Sequence, residues 1–165
     1  MTAKAPWFWI ATWFGSGLSP KAPGTMGSLA ALPFAYVIQT QWGNEALFLS
    51  ALLVFLIGWW ASMRYLRAFP EKTDPGAIVV DEVAAQWLLL AVLFPTWQSY
   101  LVGFILFRIF DIRKTWPVSW FDSNVKGALG VMIDDVVAAL LPAIFLYIAA
   151  HEPWFAPVQY WLAGQ

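Results

Sequence analysis

Acidic residues interrupt otherwise apolar stretches of this sequence at three separate places. The five acids are Asp81 and Glu82 in IVVDEVAAQWLLL, Asp111 in LFRIFDIRK, and Asp134 and Asp135 in GVMIDDVVAALL. Ionisable groups inside a membrane are costly and usually have a function. Carboxylate oxygens are also the ligands that Mg²⁺ takes, at about 2.0–2.1 Å. We therefore expect the five acids to meet at one end of a helical bundle, as catalytic groups that bind Mg²⁺.

Helix capping is the alternative explanation for four of these acids. The N-terminal end of a helix dipole favours acidic side chains, and both adjacent pairs lie near predicted helix starts. Asp111 does not fit this explanation, because it lies at the C-terminal end of its apolar run, where an anion is disfavoured. The five acids together therefore favour a binding site over capping.

Two basic residues flank Asp111 at a spacing of three. Arg108, Asp111 and Lys114 therefore lie on roughly one face of a helix. Arg108 either grips a phosphate in bidentate fashion or forms a structural salt bridge to Asp111 or Glu82. Lys114 either binds the phosphate as well or is one of the positive residues that flank membrane spans.

The stretch FGSGLSPKAPGTMGS at 14–28 is rich in glycine and hydroxyl groups and precedes a long apolar run. Backbone N–H groups at a glycine-rich helix start form a natural anion site. We expect Gly24, Thr25 and Ser28 to contact phosphate there, with Thr25 or Ser28 capping the helix. The alternative is a tight re-entrant turn whose glycines only permit close packing.

Three blocks of the sequence together resemble the phosphatidylglycerophosphatase A family: FGSGLSPKAPGTMGSLAALP at 14–33, IVVDEV at 78–83 and FRIFDIRKTWPVSWFDSNVKGALGVMIDDVVA at 107–138. The resemblance implies a Mg²⁺-dependent phosphatase of the bacterial inner membrane. Such an enzyme removes the terminal phosphate of the phospholipid phosphatidylglycerophosphate to give phosphatidylglycerol. The family pattern would have proline at Thr115 and glycine at Ala85 and Ala128. These departures concern packing, since every charged position of the pattern is kept.

The elements that must position these residues are apolar helices. Hydrophobic residues make up 61% of the 165 residues and charged residues 12%, about half the usual charged fraction of a soluble domain. We predict an all-α membrane protein of one domain, with about five transmembrane helices plus an N-terminal interfacial or re-entrant helix at Pro6–Phe14. The predicted spans are about Met26–Gln41, 46–63, about Ile78–Phe94, about Tyr100–Ile112 and about Val131–Ala150. WPVSWF at 116–121 is a second interfacial segment.

The positive residues give the predicted orientation. Arg64, Arg67 and Lys72 follow the second span, and Arg113, Lys114 and Lys126 follow the fourth. Because cytoplasmic loops carry the excess of Lys and Arg, loops 64–77 and 113–130 are predicted to lie in the cytoplasm. The acids then lie on the cytoplasmic side, with the C-terminus outside.

Several classes of function are excluded by composition. A net charge of −1 gives no basic face for nucleic acid, and the absence of cysteine excludes a thiolate nucleophile or ligand. His151, the one histidine, is predicted to lie at the far membrane face, which disfavours a phosphohistidine route. Either a carboxylate activates water or a carboxylate attacks phosphorus itself. A small cation transporter or channel subunit and a structural membrane subunit are the rival functions, and the oligomeric state is left open.

Overall fold

The computed structural model describes residues 5–70 and 76–165. The regular secondary structure of these residues is helical. The predicted all-α class is confirmed for these residues. The helices are α1 (Pro6–Ala11), α2 (Pro23–Ala68), α3 (Val80–Leu90), α4 (Trp97–Arg113), α5 (Val118–Asn124), α6 (Gly127–His151) and α7 (Ala156–Leu162), with 3-10 turns at Ser16–Leu18 and Pro153–Phe155.

The long helix α2 is folded back on itself at Gly43. That residue has φ 86° and ψ 177°, which is not a helical conformation and which glycine adopts at little cost. On the two sides of Gly43, Gly27 lies against Val79 and Gly58 lies against Val80. Because two successive residues contact opposite arms, the arms of α2 run antiparallel, as the prediction of two helices separated near 42–45 requires.

The turn at Gly43 is held by hydrogen bonds to the other end of α3. The side-chain nitrogen Nε2 of Gln39 donates to the carbonyls of Leu90 and Leu93, at 3.1 and 2.8 Å. Tyr100 of α4 donates its hydroxyl to the side-chain oxygen of Gln39 at 2.8 Å. The carbonyl of Leu90 also accepts from the backbone amide of Leu93, so the bond that satisfies a carbonyl left open by the backbone of the described residues is the one to Leu93, just beyond the C-terminal end of α3.

Helix α3 lies at the centre of the bundle. Nine of its eleven residues are buried, and it packs between the arms of α2 on one side and α6 on the other. The indole nitrogen of Trp87 donates to the carbonyl of Ala31 in α2 at 3.0 Å. An apolar run that is buried on all sides has no helical hydrophobic period, so its sequence alone does not distinguish a core helix from a membrane span.

The prediction of five membrane spans is not supported. Among the described residues, two helices are long and apolar enough to cross a membrane, Pro23–Ala68 and Gly127–Ala150. Helix α3 has 11 residues and α4 has 17, which gives lengths of about 16 and 25 Å, below the roughly 30 Å of a hydrocarbon core. The prediction of a helix at about Ile78–Phe94 was too long, because residues 91–94 leave the helix before Pro95. Helix α4 is longer than the predicted Tyr100–Ile112 at both ends.

The first of these two helices exposes most of its apolar surface. Only 28% of the most apolar stretch of α2 is buried inside the protein. Leu49, Leu53 and Leu56 on its outer face are each more than half exposed. A contiguous apolar surface of this kind marks a binding or membrane-facing surface.

The predicted interfacial segments fold as short helices at the end of the bundle that carries the acids. Phe8 of α1 stacks on Tyr65 with ring centroids 5.9 Å apart, and the amide of Val79 donates to the carbonyl of Ala11 at 2.9 Å. Helix α1 is therefore fixed to the start of α3. The 116–121 segment contributes to α5, and the side chain of His151, predicted at the far face, lies outside the described residues.

The contact between Gly27 and Val79 gives a test of this packing. A Cβ at position 27 would lie 2.6 Å from the Cβ of Val79, whereas one at Gly76 would meet its nearest neighbour, Pro23, at 3.7 Å. We expect Gly27→Ala to lower the free energy of unfolding by about 1–3 kcal/mol, as overpacking does, and Gly76→Ala to unfold like the wild type. Thermal unfolding in detergent measures both. Equal stability of the two variants would contradict the close approach of α2 and α3.

Candidate active site

Three of the predicted acids form a buried cluster where α3 and α6 meet. One carboxylate oxygen from each of Asp81, Glu82 and Asp135 lies within 4.8 Å of the other two. Asp81 and Asp135 are each 6% exposed. We call these three residues the acid triad. Carboxylates buried together are unstable unless positive charge or hydrogen-bond donors compensate them.

A cavity of about 520 Å³ opens beside the acid triad, between the starts of α3 and α6, the end of α4 and α5. Its walls include all five acids that the sequence singled out. The charged lining residues are Asp81, Glu82, Asp111, Lys114, Asp122, Lys126, Asp134 and Asp135. We call this space the acid cavity. Six carboxylates and two ammonium groups in one cavity suit a cation and an anionic ligand together.

Asp111 is paired with Arg108 three residues earlier on α4. The guanidinium of Arg108 lies 2.5 Å from the carboxylate of Asp111 and 3.6 Å from that of Glu82. The second carboxylate oxygen of Glu82 and the Nε of Arg108 are buried without a hydrogen-bond partner among the described residues. Arg108 thus forms the structural salt bridge to Asp111 and Glu82, which was one of the two roles predicted for it from the sequence. Its grip on a phosphate stays a prediction.

Lys114 reaches into the acid cavity from the C-terminal end of α4. Its ammonium group lies 3.0 Å from Asp134 and 2.6 Å from Asp122. Burial opposes the charge of Lys114, but the hydrogen bonds to both aspartates outweigh it, so the pKa of Lys114 is raised. The hydrogen bond from Lys114 lowers the pKa of Asp122. Lys114 is therefore a fixed positive charge in a cavity of carboxylates.

The adjacent acids Asp134 and Asp135 have different surroundings. Asp135 belongs to the acid triad, whereas one oxygen of Asp134 binds Lys114 and the other is buried without a partner among the described residues. Neighbouring side chains on a helix point about 100° apart, which accounts for the division. Helix α6 begins at Gly127, so these acids lie about two turns inside it. The expectation that they lie near the start of this helix is wrong, and with it the capping alternative for this pair.

The glycine-rich segment contacts the site at one point. A Cβ at Gly24 would collide with the side-chain oxygen of Glu82 and would approach Arg108. The hydroxyl of Ser28 donates to the carbonyl of Gly24 at 3.0 Å and lies 3.5 Å from Arg108. Thr25 lines a different groove together with Arg108. Gly24, Thr25 and Ser28 therefore surround Arg108 and do not line the acid cavity.

The prediction that Thr25 or Ser28 caps this helix is wrong. Helix α2 begins at Pro23, with Ala22 before it, and no side chain caps its start. Proline fixes φ near the helical value and needs no hydrogen-bond acceptor in the first turn. The helix therefore starts before Thr25, and the hydroxyls fall inside it.

Sequence reasoning missed Asp122 and Lys126. Both line the acid cavity, and the ammonium group of Lys126 donates to the backbone carbonyl of Asp122 at 3.1 Å. The interfacial segment predicted at 116–121 ends before both residues, and Lys126 was used only to predict the orientation of the chain. The signal was present in FDSNVK, where an acid inside α5 and a lysine just beyond its end at Asn124 stand four residues apart.

Comparisons with known proteins support one family for the chain. The family described as Phosphatidylglycerophosphatase A matches residues 9–150. The chain belongs to this family. It is 44% identical over 150 residues to Phosphatidylglycerophosphatase A of Escherichia coli, which covers 89% of this chain and 85% of the relative.

Two further relatives extend the comparison. Phosphatidylglycerophosphatase A of Haemophilus influenzae is 36% identical over 155 residues, 93% of this chain and 88% of the relative. A protein of Bacteroides thetaiotaomicron with the provisional name phosphatidylinositol-3-phosphatase is 40% identical over 155 residues, 85% of this chain and 91% of the relative. No solved structure matches the chain. The family match includes every charged residue of the acid cavity.

The ion pairs of Arg108 give a test of its structural role. Arg108→Met would leave Asp111 and Glu82 buried without their cation, so we expect a loss of about 3–5 kcal/mol in unfolding free energy. The double variant Arg108→Met with Asp111→Leu should be less destabilised, because a buried charge is removed with its partner. Lys126→Met, at an exposed position, is the control and should stay within about 0.5 kcal/mol of the wild type. A stable Arg108→Met protein would show that the pairs contribute little.

Proposed function

We propose that this chain is a Mg²⁺-dependent phosphatase that removes the terminal phosphate of phosphatidylglycerophosphate to give phosphatidylglycerol. The observation that carries the proposal is the acid triad, which faces a cavity containing Lys114 in a chain of the phosphatidylglycerophosphatase A family. Carboxylates and an ammonium group in one cavity suit a metal-assisted reaction on a phosphomonoester. The relatives from Escherichia coli and Haemophilus influenzae carry the name of that activity.

The residues present fit a magnesium ion. Asp81, Glu82 and Asp135 supply three oxygen ligands close together, and Mg²⁺ prefers oxygen ligands and retains some of its water. One oxygen of Glu82 is buried with no partner among the described residues, so it is available to a cation. When bound, Mg²⁺ would polarise a phosphate oxygen and neutralise charge that develops in the reaction. Asp111 and Asp134, which already bind Arg108 and Lys114, would act as positioning residues.

The remaining chemistry belongs to side chains of the chain itself. Lys114 would contact the phosphate, while Asp122 and Asp134 hold its ammonium group in place. In one route, a carboxylate takes a proton from water, the water oxygen bonds to phosphorus, and the ester oxygen leaves with a proton as the alcohol. In the other, a carboxylate oxygen bonds to phosphorus while the ester oxygen takes a proton and leaves as the alcohol, and water then hydrolyses the acyl phosphate to the free carboxylate and phosphate. Arg108 would keep Glu82 and Asp111 oriented in both routes.

We also propose a multi-pass protein of the bacterial inner membrane whose acid cavity faces the cytoplasm. Arg64 and Arg67 end the second arm of α2, and Lys114 and Lys126 lie at the acid cavity, all at one end of the bundle. Lys72, the third cation of the first loop, lies outside the described residues. This distribution follows the preference of Lys and Arg for the cytoplasmic side. A cavity at the surface of one leaflet would leave the acyl chains of the substrate in the bilayer.

Phosphate release tests the proposed activity. We expect purified protein in detergent to release inorganic phosphate from phosphatidylglycerophosphate with Mg²⁺ and to lose this activity with a chelator. Phosphatidylinositol 3-phosphate, assayed in parallel, tests the alternative substrate that the name of the third relative suggests. A cation transporter or structural subunit would release no phosphate from either lipid. That result would overturn the proposal.

The metal assignment is tested separately by stability. A ligand stabilises the folded state by mass action, by about 2.7 kcal/mol at a hundredfold excess over its dissociation constant. We expect Mg²⁺ to raise the melting temperature of the wild type and of Asp134→Asn, because Asp134 binds Lys114. Asp135→Asn should lose most of this rise, since it removes a charge from the acid triad. If Asp135→Asn keeps the full rise, or the wild type shows none, the triad does not bind Mg²⁺.

Cysteine labelling tests the orientation. The chain has no cysteine, and Ser123 near the acid cavity and Glu45 near the turn of α2 are both exposed. In cells with a permeabilised outer membrane, an impermeant maleimide should label Glu45→Cys. It should label Ser123→Cys only after the inner membrane is broken. Labelling of Ser123→Cys in intact spheroplasts would contradict a cytoplasmic cavity.

A further inference from the structure

A second concave surface lies beside the acid cavity, on the outer face of α4. This groove of about 320 Å³ is lined along its length by Ile105, Ile109 and Ile112, which are 45%, 41% and 68% exposed. Arg108, Arg113 and Thr25 also line it. We call it the α4 groove. It is apolar along the helix and carries two guanidinium groups toward the C-terminal end of α4.

Arg108 forms the wall between the α4 groove and the acid cavity. Its side chain lines the groove, while its guanidinium pairs with Asp111 and Glu82, which line the cavity. Arg108 therefore lies between the α4 groove and two carboxylates of the acid cavity. Both spaces lie at the C-terminal end of α4.

The end of α4 presents a cation to each space. Arg113 lines the groove and the next residue, Lys114, lines the cavity, with Cα atoms about 3.8 Å apart. Lys114 is held by Asp122 and Asp134, whereas Arg113 is exposed and forms no ion pair with a residue that the structure describes. An anion beside Arg113 would meet an uncompensated positive charge.

We propose that the α4 groove binds the diacylglycerol side of the lipid substrate, with one acyl chain along Ile105, Ile109 and Ile112 and the phosphodiester against Arg113. This inference rests on the proposed function. Phosphatidylglycerophosphate carries two phosphate groups, a phosphodiester next to the acyl chains and a terminal phosphomonoester one glycerol unit away. The phosphodiester would lie against Arg113 and the terminal phosphate against Lys114. The apolar part of the groove begins beside Arg113, where the acyl chains next to the phosphodiester would lie.

Another apolar groove provides a comparison within the same protein. It has a volume of about 210 Å³ and lies between α2, α3 and α6, and Phe48, Leu140 and Ile144 are among its lining residues. Its described lining includes no charged side chain. A hydrocarbon chain alone could lie there, but a phosphate attached to that chain would find no cation. Charge complementarity therefore assigns the substrate to the α4 groove.

The experiment compares a long-chain and a short-chain phosphatidylglycerophosphate in the same detergent micelles. We expect Ile105→Trp, which fills the groove, to lower the ratio of kcat/KM for the long-chain over the short-chain lipid by roughly tenfold, the scale of a changed apolar contact in a specificity pocket. Ile112→Trp, at a more exposed position, fills the same groove and replaces Ile105→Trp in the experiment if that variant does not fold. The matched control is Ile144→Trp in the uncharged groove, which should keep the wild-type ratio.

The phosphodiester is tested by charge. Arg113→Gln should lower kcat/KM for both lipids alike by roughly tenfold, the scale of a lost hydrogen bond to a charged group, because both lipids carry the phosphodiester. Arg67→Gln, an exposed arginine that lines neither space, is the control. An unchanged chain-length ratio in both filled variants, or an equal fall in Ile144→Trp, would overturn the acyl-chain assignment. A wild type that releases phosphate from neither lipid would instead overturn the proposed function.

Discussion

The arrangement of this protein depends on compensating three carboxylates that are buried at one point. Asp81, Glu82 and Asp135 lie within one ligand sphere, where mutual repulsion and desolvation both disfavour their charged forms. Arg108 contacts the triad only through Glu82, and Lys114 is committed to Asp122 and Asp134. Among the residues that the structure describes, the positive charge beside the triad is therefore smaller than the charge of its three carboxylates. A bound cation would stabilise a site built in this way.

The central position of α3 is what makes such a cluster possible. A helix of 11 residues that is covered by both arms of α2 and by α6 carries Asp81 and Glu82 away from solvent at its first turn. Gly24 allows α2 to approach Glu82 closely, since any side chain there would collide with the carboxylate. The glycine-rich segment thus packs against the acid triad, and the group that it contacts there is the carboxylate of Glu82.

Much of the architecture could be predicted from the sequence, because apolar runs and charged termini determine where helices begin and end. The α6 prediction is within a few residues at its C-terminal end, and the break near 42–45 coincides with Gly43. The number of spans could not be predicted, since α3 has the composition of a span but the length and burial of a core helix. The sequence also could not predict which acid pairs with which basic residue. Asp134 and Asp135 are chemically identical, and only the direction of each side chain decides which one meets Lys114.

The contacts of Val79 and Val80 with Gly27 and Gly58 have a consequence for how related sequences vary. These two valines separate the arms of α2, and each occupies space that a glycine leaves open. Residues that share one volume exchange size together, and such covariation is a mark of spatial contact. Members of the family with a larger residue at position 58 should carry a smaller one at 80, because the branch methyls of Val80 make that contact. Position 27 should stay glycine, because it faces the Cβ that every residue but glycine would place at 79. The spacing of the two arms, and with it the depth of the first turn of α3, would then be preserved.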